Sequence, residues 1–67
     1  MKFEVLLNTN IVWEKHTSNE RFFYTEQDDQ IILLRINNFP DEPLFSVING
    51  LDILDIEDRP EGWHLKW

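Results

Sequence analysis

The stretch 30–45, QIILLRINNFPDEPLF, decides the fold, and its two halves do so in different ways. In the first half, QIILLRIN, apolar side chains alternate onto both faces of an extended chain, and only Arg35 interrupts them. A strand that is apolar on both faces is typical of one covered on both sides. The pattern therefore predicts a central strand over residues 30–37.

The second half contains Pro40 and Pro43, which bracket the acidic pair Asp41 and Glu42. Each proline fixes its own φ, lacks an N–H donor and pushes the preceding residue toward extended geometry. A regular helix or a central strand therefore does not pass through residues 38–43. We expect a stiff, negatively charged corner there, between two structured halves of the chain.

On the C-terminal side, Asn49-Gly50 separates two apolar runs, LFSVI and LDILDI. Asn-Gly in this setting is a strong hairpin signal, because both central residues of a type I′ turn need positive φ. With this dipeptide at the turn, Ile48 pairs with Leu51, and the rest of the hairpin follows in register.

In the second run the alternation of apolar and polar residues is interrupted, because the apolar residues Ile53 and Leu54 are adjacent and would lie on opposite faces of a regular strand. A β-bulge or a single helical turn would accommodate this interruption. Residues 57–62, EDRPEG, have the composition of a charged turn. Alternation in the last residues, 63–67, predicts a short final strand.

On the N-terminal side, three segments have the pattern of strands. In the first segment, Phe3, Val5 and Leu7 alternate with the residues at positions 2, 4 and 6, which suits a half-buried strand. Residues 11–16 are rich in β-branched and aromatic side chains. Residues 21–27, RFFYTEQ, predict a third strand, with Asp28-Asp29 as its turn.

One segment has a second interpretation. Thr17-x-x-Glu20 matches a helix capping box, which would place one short helix near residues 18–27. Three consecutive aromatic residues at positions 22–24 favour the strand.

These elements predict an all-β fold, in which a single small antiparallel sheet of five to six short strands curls into one barrel-like domain over residues 1–67. A curled sheet is favoured because a lone flat sheet cannot cover both faces of the central strand. If the barrel does not close, a homodimer would bury the second face. The alternative is an α+β fold with the short helix near residues 18–27.

The net charge of −7 is unevenly distributed. Residues 28–67 hold nine acids against three cations, whereas residues 1–27 hold four against three. DNA or RNA would be repelled, since affinity for a nucleic acid comes from neutralising its phosphates.

Cysteine is absent, which excludes disulfides, thiolate zinc sites and thiol catalysis. No apolar run approaches the ~20 residues that span a bilayer, and we expect a cytoplasmic protein.

No spacing of residues matches a catalytic, cofactor or metal motif, so we predict no enzyme and no cofactor. The two histidines, His16 and His64, each have acids nearby, and a metal-assisted hydrolase built on them is the third and weakest hypothesis. Four aromatic residues either fill the core or line an exposed interface. These are Trp13, Tyr24, Trp63 and Trp67.

The leading hypothesis is a non-enzymatic protein-interaction module whose acidic surface binds a basic protein. The residues predicted to bind the partner are five carboxylates and one anchoring ring: Asp41, Glu42, Asp55, Glu57, Asp58 and Trp63. The alternative is an inhibitor or immunity protein whose acids imitate the phosphates of a nucleic acid. Arg35 and Arg59 are expected to pair with some of the surplus carboxylates.

The run from Leu34 to Phe45, LRINNFPDEPLF, together with DRPEGW at residues 58–63, resembles a group of short bacterial proteins of unknown function. Members of that group carry an arginine, then N-[DN]-F-P-x-E-P-L and an aromatic residue, then a hairpin and an acid–Pro–Trp ending. The resemblance covers residues 33–63 and implies a compact bacterial cytoplasmic module. Asn38 stands where an aspartate is common in the group.

Overall fold

A computed structural model describes residues 2–66, which form one short helix and six strands. The strands make a single mixed sheet that curls into a half-barrel, so the prediction of an all-β curled sheet is confirmed. The elements are α1 (Phe3–Leu7), β1 (Ile11–Lys15), β2 (Phe22–Gln27), β3 (Gln30–Ile36), β4 (Phe45–Asn49), β5 (Asp52–Ile56) and β6 (Trp63–Leu65).

The strand order is β5-β4-β3-β2-β1-β6, so β3 lies inside the sheet as predicted. The first five strands form an antiparallel meander, but β6 pairs in parallel with β1, and the prediction of a purely antiparallel sheet is wrong there. The chain returns across the sheet after β5, and Gly62 passes close to Asn10. A Cβ on Gly62 would lie 2.2 Å from Oδ1 of Asn10, so the absence of a side chain permits this approach.

The core lies on the inner face of the half-barrel, and α1 packs against it. At its centre the rings of Trp13 and Trp63 meet edge to face, with centroids 4.9 Å apart. Nε1 of Trp63 donates to the carbonyl oxygen of Leu6 at 3.1 Å, which ties β6 to α1. The buried apolar side chains are Leu6, Ile11, Trp13, Phe23, Ile32, Leu34, Phe45, Val47, Trp63 and Leu65.

The predicted strand over residues 3–7 is wrong, because this segment is α1. Its alternation also contains a helical spacing: Phe3, Leu6 and Leu7 form one apolar stripe, which covers the inner face. The polar side chains of Asn8 and Thr9 then donate to the carbonyl oxygens of residues 4 and 5 and end the helix. The alternative helix near residues 18–27 is also wrong, since β2 occupies most of that range.

Both predicted hairpins form, but only the first has the predicted turn. Asp28 and Asp29 have φ of 51° and 61°, and both are central turn residues. In the second hairpin, Gly50 and Leu51 form the turn and Asn49 pairs with Asp52, so the predicted register is wrong by one position on each strand. Gly50 takes the first central position of the turn, where its φ of 63° is one that glycine adopts without steric cost.

The predicted bulge or helical turn near Ile53 is wrong, since β5 pairs regularly with β4 along its length. The chain keeps its register and leaves Ile53 65% exposed on the outer face. The prediction that β3 is covered on both sides is also wrong: Ile32 and Leu34 are buried, whereas Ile31 is 64% exposed.

The proline corner is confirmed as a break between elements, because residues 37–44 lie between β3 and β4 outside regular structure. The amide of Asn37 donates to the carbonyl oxygen of Leu44 at 3.1 Å and closes the loop at its base. The Phe39–Pro40 peptide bond is cis. The short final strand is confirmed over Trp63–Leu65, and Trp67 lies outside the described residues.

Candidate functional site

The outer face of the sheet carries a continuous apolar surface across β2, β3, β4 and β5. Tyr24 pairs with Leu33, Leu33 with Ile48, and Ile48 with Ile53, so these four side chains form one row. Ile31 adjoins the row on the same face of β3, since it lies two residues from Leu33. We call this surface the outer patch: Tyr24, Ile31, Leu33, Ile48 and Ile53.

The outer patch is half exposed, in contrast to the inner face. Ile31 and Ile53 keep about two thirds of their surface in water, at 64% and 65%, and Tyr24 keeps 39%. Leu51, in the turn beside the patch, is fully exposed. Isolated exposed apolar residues are ordinary, but adjacent ones rimmed by polar groups are typical of interaction sites.

The outer patch ends at a free strand edge. One side of β5 pairs with β4, and within residues 2–66 no strand pairs with the other. Antiparallel pairs alternate between hydrogen-bonded and non-hydrogen-bonded positions. Because Asn49 and Asp52 flank the two-residue turn as a hydrogen-bonded pair, Ile53 and Asp55 direct their N–H and C=O groups away from the sheet.

A polar row lies directly beside the outer patch. Arg35 donates through Nη1 to Oδ1 of Asn37, and Nδ2 of Asn37 donates to Oγ of Ser46 at 2.8 Å. Oγ of Ser46 then donates to Oδ1 of Asp55 at 2.6 Å. This chain of hydrogen bonds crosses from β3 to β5 and holds the Asp55 carboxylate at the free edge.

The other predicted carboxylates lie at the same end of the sheet. Glu57 and Asp58 directly follow β5, whereas Asp41 and Glu42 lie in the proline corner before β4. Both loops meet the sheet at one end, because the first residue of β4 pairs with the last residue of β5. Asp41, Glu57 and Asp58 are exposed, and Oε1 of Glu42 accepts a hydrogen bond from the backbone amide of Asn38 at 3.1 Å.

These carboxylates are not neutralised by the chain's own cations. In the part of the chain that the structure describes, the one ion pair joins Lys66 to Glu14, at 3.0 Å. Arg21, Arg35 and Arg59 donate instead to backbone carbonyl and side-chain amide oxygens. The expectation that Arg35 and Arg59 pair with carboxylates is therefore wrong.

Trp63 cannot act as the predicted exposed anchor, because it is only 1% exposed and packs on Trp13. Trp63 does belong to the predicted final strand, but its side chain lies on the inner face of the sheet and not on an exposed face. Of the aromatic residues considered from the sequence, the structure describes three, and Tyr24 is the one of these on the outer patch. The sequence prediction does not include Ile31 and Ile53 as site residues. Two features of the sequence point to them: apolar residues occupy both faces of β3, and Ile53 and Leu54 are adjacent apolar residues in β5.

The two histidines lie apart from the outer patch. His16 follows β1, and its Nδ1 accepts hydrogen bonds from the amides of Ser18 and Asn19 at 3.1 and 3.0 Å, which organises that loop. His64 is exposed on β6. Across the described residues, no three His, Cys, Asp or Glu side chains are grouped so as to hold a metal ion.

A cleft opens between the β3–β4 end of the sheet and β6, and its lining residues are Ile36, Leu44, Phe45, Arg59, His64 and Leu65. Neither α1 nor any other helical segment in residues 2–66 has the length and hydropathy to cross a membrane.

Comparison with protein-family models, with curated proteins and with solved structures finds no match for this chain. The resemblance to short bacterial proteins, carried by the motif at residues 34–45, therefore stays a prediction.

Proposed function

We propose that this protein is a non-enzymatic interaction module that binds a basic protein partner through the outer patch and the free edge of β5. The acids at the end of β5 steer the partner, and the apolar side chains supply the contact. A cytoplasmic location and a bacterial source, as the motif resemblance implies, belong to the same proposal.

The observation that carries the proposal is the exposure of adjacent apolar side chains on a sheet whose other face holds the core. Ile31 and Ile53 add nothing to that core, and burying such side chains fully is worth about 1.5–3 kcal/mol each. Tyr24 supplies the ring at this surface, a residue type enriched where binding energy concentrates. A partner surface is the environment in which this burial becomes favourable.

Charge determines which partners fit. The carboxylates of Asp55, Glu57 and Asp58 lie beside the patch, and none of them is in an ion pair within residues 2–66. Complementary charge raises association rates and suppresses wrong partners more than it raises affinity. We therefore expect a basic partner whose binding weakens with salt, because exposed charges are screened beyond about 8 Å at physiological ionic strength.

The inhibitor hypothesis involves the same acidic residues but requires a surface that is mainly charged. A mimic of nucleic acid presents mainly charge, whereas here a row of apolar side chains separates the acids from the rest of the outer face. This arrangement favours a mixed apolar and electrostatic contact. The two hypotheses differ in salt dependence, since purely electrostatic binding falls steeply as salt rises.

Affinity capture with matched charge variants tests the proposal. The double variant Glu57→Lys with Asp58→Lys changes the charge beside β5, and Glu4→Lys with Glu20→Lys makes the same change elsewhere on the chain. We expect the first pair to weaken capture of a basic protein from source-organism lysate by about tenfold or more, and the second pair to leave it nearly unchanged. Equal losses from both pairs would show that net charge alone is responsible.

The apolar half of the proposal needs its own variant. Ile53→Ser removes one of the two most exposed side chains of the outer patch without changing charge. We expect it to reduce capture of the same protein at every salt concentration, as measured by quantitative mass spectrometry of the eluates. Undiminished capture by Ile53→Ser would remove the outer patch from the proposal.

A further inference from the structure

The half-barrel leaves two edges unpaired within the described chain, and they differ. β6 has three residues, whereas β5 has five and borders the outer patch. Natural proteins protect sheet edges because an exposed row of N–H and C=O groups pairs readily with another strand. β5 carries no proline and no bulge, and its pairing with β4 is regular throughout. Its only protective feature is its acidic side chains.

Given the interaction function proposed above, on which this inference rests, we infer that the partner binds as an extended segment that adds a strand to the free edge of β5. The backbone groups of Ile53 and Asp55 that point away from β4 make the main-chain hydrogen bonds. Strand addition of this kind takes its affinity from the backbone and its specificity from alternate side chains.

The side chains of β5 define the chemistry of that segment. Leu54 and Ile56 point inward and are half buried at the open side of the half-barrel, so residues opposite them are apolar. On the outer face, the Asp55 carboxylate favours lysine or arginine, and the aliphatic stem of such a residue packs along Ile53. The added strand is therefore basic and amphipathic, with its apolar side chains completing the core.

A second copy of this chain fits the edge less well. Each copy carries a net charge of −7, and pairing β5 with itself would gather the acids at positions 52, 55, 57 and 58 from both copies. Like charges on neighbouring strands are destabilising. The acids thus oppose self-pairing and favour a basic strand.

A defined peptide tests the binding mode on the intact protein. The probe is an acetylated and amidated peptide of about nine residues that alternates valine and lysine, long enough to span β5. Its matched control has the same composition with the valines and lysines in two blocks. We expect binding of the alternating peptide by NMR titration, with the largest amide shifts along β5, and at least tenfold weaker binding of the block peptide.

Amide hydrogen exchange distinguishes strand addition from contact through side chains alone. On binding of the alternating peptide, we expect exchange of the Ile53 and Asp55 amides to slow by about tenfold or more, while the Leu54 amide, already bonded to β4, changes little. Binding that leaves the Ile53 and Asp55 amides unprotected would overturn strand addition. Protection of the same amides at high protein concentration without peptide would assign the edge to a second copy and also overturn it.

A pair of variants at one position gives an independent readout. Ile53→Pro and Ile53→Ser both remove the apolar side chain, but only the proline removes the outward N–H, and an edge strand tolerates proline at such a position. We expect the proline variant to bind the peptide at least about tenfold more weakly than the serine variant. Equal binding by the two folded variants would overturn strand addition while leaving the outer patch as an interaction surface.

If the proline variant does not fold, N-methylation of alternate peptide residues makes the same test from the partner's side. Methylation on the edge that faces β5 is expected to abolish binding, and methylation on the opposite edge to preserve it. If both methylated peptides bind equally well, the backbone pairing is refuted. Failure of the unsubstituted protein to capture any basic protein, even at low salt, would refute the interaction function itself, whereas capture without peptide binding would refute strand addition alone.

Discussion

The inner and outer faces of this sheet are both apolar, yet only the inner face is a core. On β3 the contrast falls between neighbours, since Leu34 is fully buried and Leu33 is half buried with its side chain on the opposite face. The inner face is covered by α1 and by the curl of the sheet, and the outer face by nothing within residues 2–66. Apolar character therefore stabilises the fold on the inner face, whereas on the outer face it supports the interaction that we propose.

The largest effect that separates the two faces is expected from truncating these adjacent leucines. Leu34→Ala leaves a cavity in the close-packed inner face and should lower the free energy of unfolding by about 2–5 kcal/mol. Leu33→Ala removes the same atoms from a partly hydrated surface and should cost clearly less. Urea unfolding of both variants measures the difference, and equal costs would mean that the outer face is as tightly packed as the inner one.

The tryptophan pair sharpens the description of the inner face. Nε1 of Trp63 is bonded to the carbonyl oxygen of Leu6, whereas Nε1 of Trp13 has no hydrogen-bond partner from any other residue between 2 and 66. Trp63→Phe removes a buried hydrogen bond, although the carbonyl oxygen of Leu6 keeps its bond from the backbone amide of Thr9 at 3.2 Å. It should therefore destabilise by about 0.5–1.5 kcal/mol more than Trp13→Phe. Thermal unfolding of the two variants tests this order, and a larger cost for Trp13→Phe would contradict it.

The smallest effect on stability is expected on the outer patch. Ile53→Thr keeps a β-branched residue on an exposed strand position, so the free energy of unfolding should change by only about 0.5 kcal/mol or less. Val47→Thr, its control on the inner face, buries a hydroxyl group and should cost about 1–3 kcal/mol. Denaturant unfolding decides; a cost at Ile53 similar to that at Val47 would show that the outer patch is part of the core.

Local patterns predicted the strands well where only one periodicity was present. The six strands lie where alternation and β-branched composition indicate them, although β5 lacks the bulge or helical turn that its sequence predicts. The segment 3–7 fits periods of both two and 3.6, and contact with the sheet decides in favour of the helix. The turn after β4 illustrates the same limit, since Gly50 takes positive φ in either register and the sequence does not specify its position in the turn.

The candidate site was predicted only in part. The carboxylates at positions 41, 42, 55, 57 and 58 do lie at one end of the sheet, but Trp63 is buried in the core. The apolar character of Ile31 and Ile53 does not by itself show that they are exposed, because a strand pattern does not reveal which of its two faces is covered. The adjacent apolar residues Ile53 and Leu54 are the signal in the sequence, because in a regular strand one of the two side chains lies on the outer face.

By itself, the sequence determined that the chain is mostly strands, that it breaks at the proline corner and that its C-terminal part is strongly acidic. These properties follow from proline geometry, side-chain periodicity and composition, which act over a few residues. Only the tertiary structure decided that β6 pairs in parallel with β1, that α1 covers the inner face and that β5 remains a free edge. Those outcomes depend on which surfaces meet after the chain returns on itself, and burial is a property of the assembled sheet rather than of any single strand.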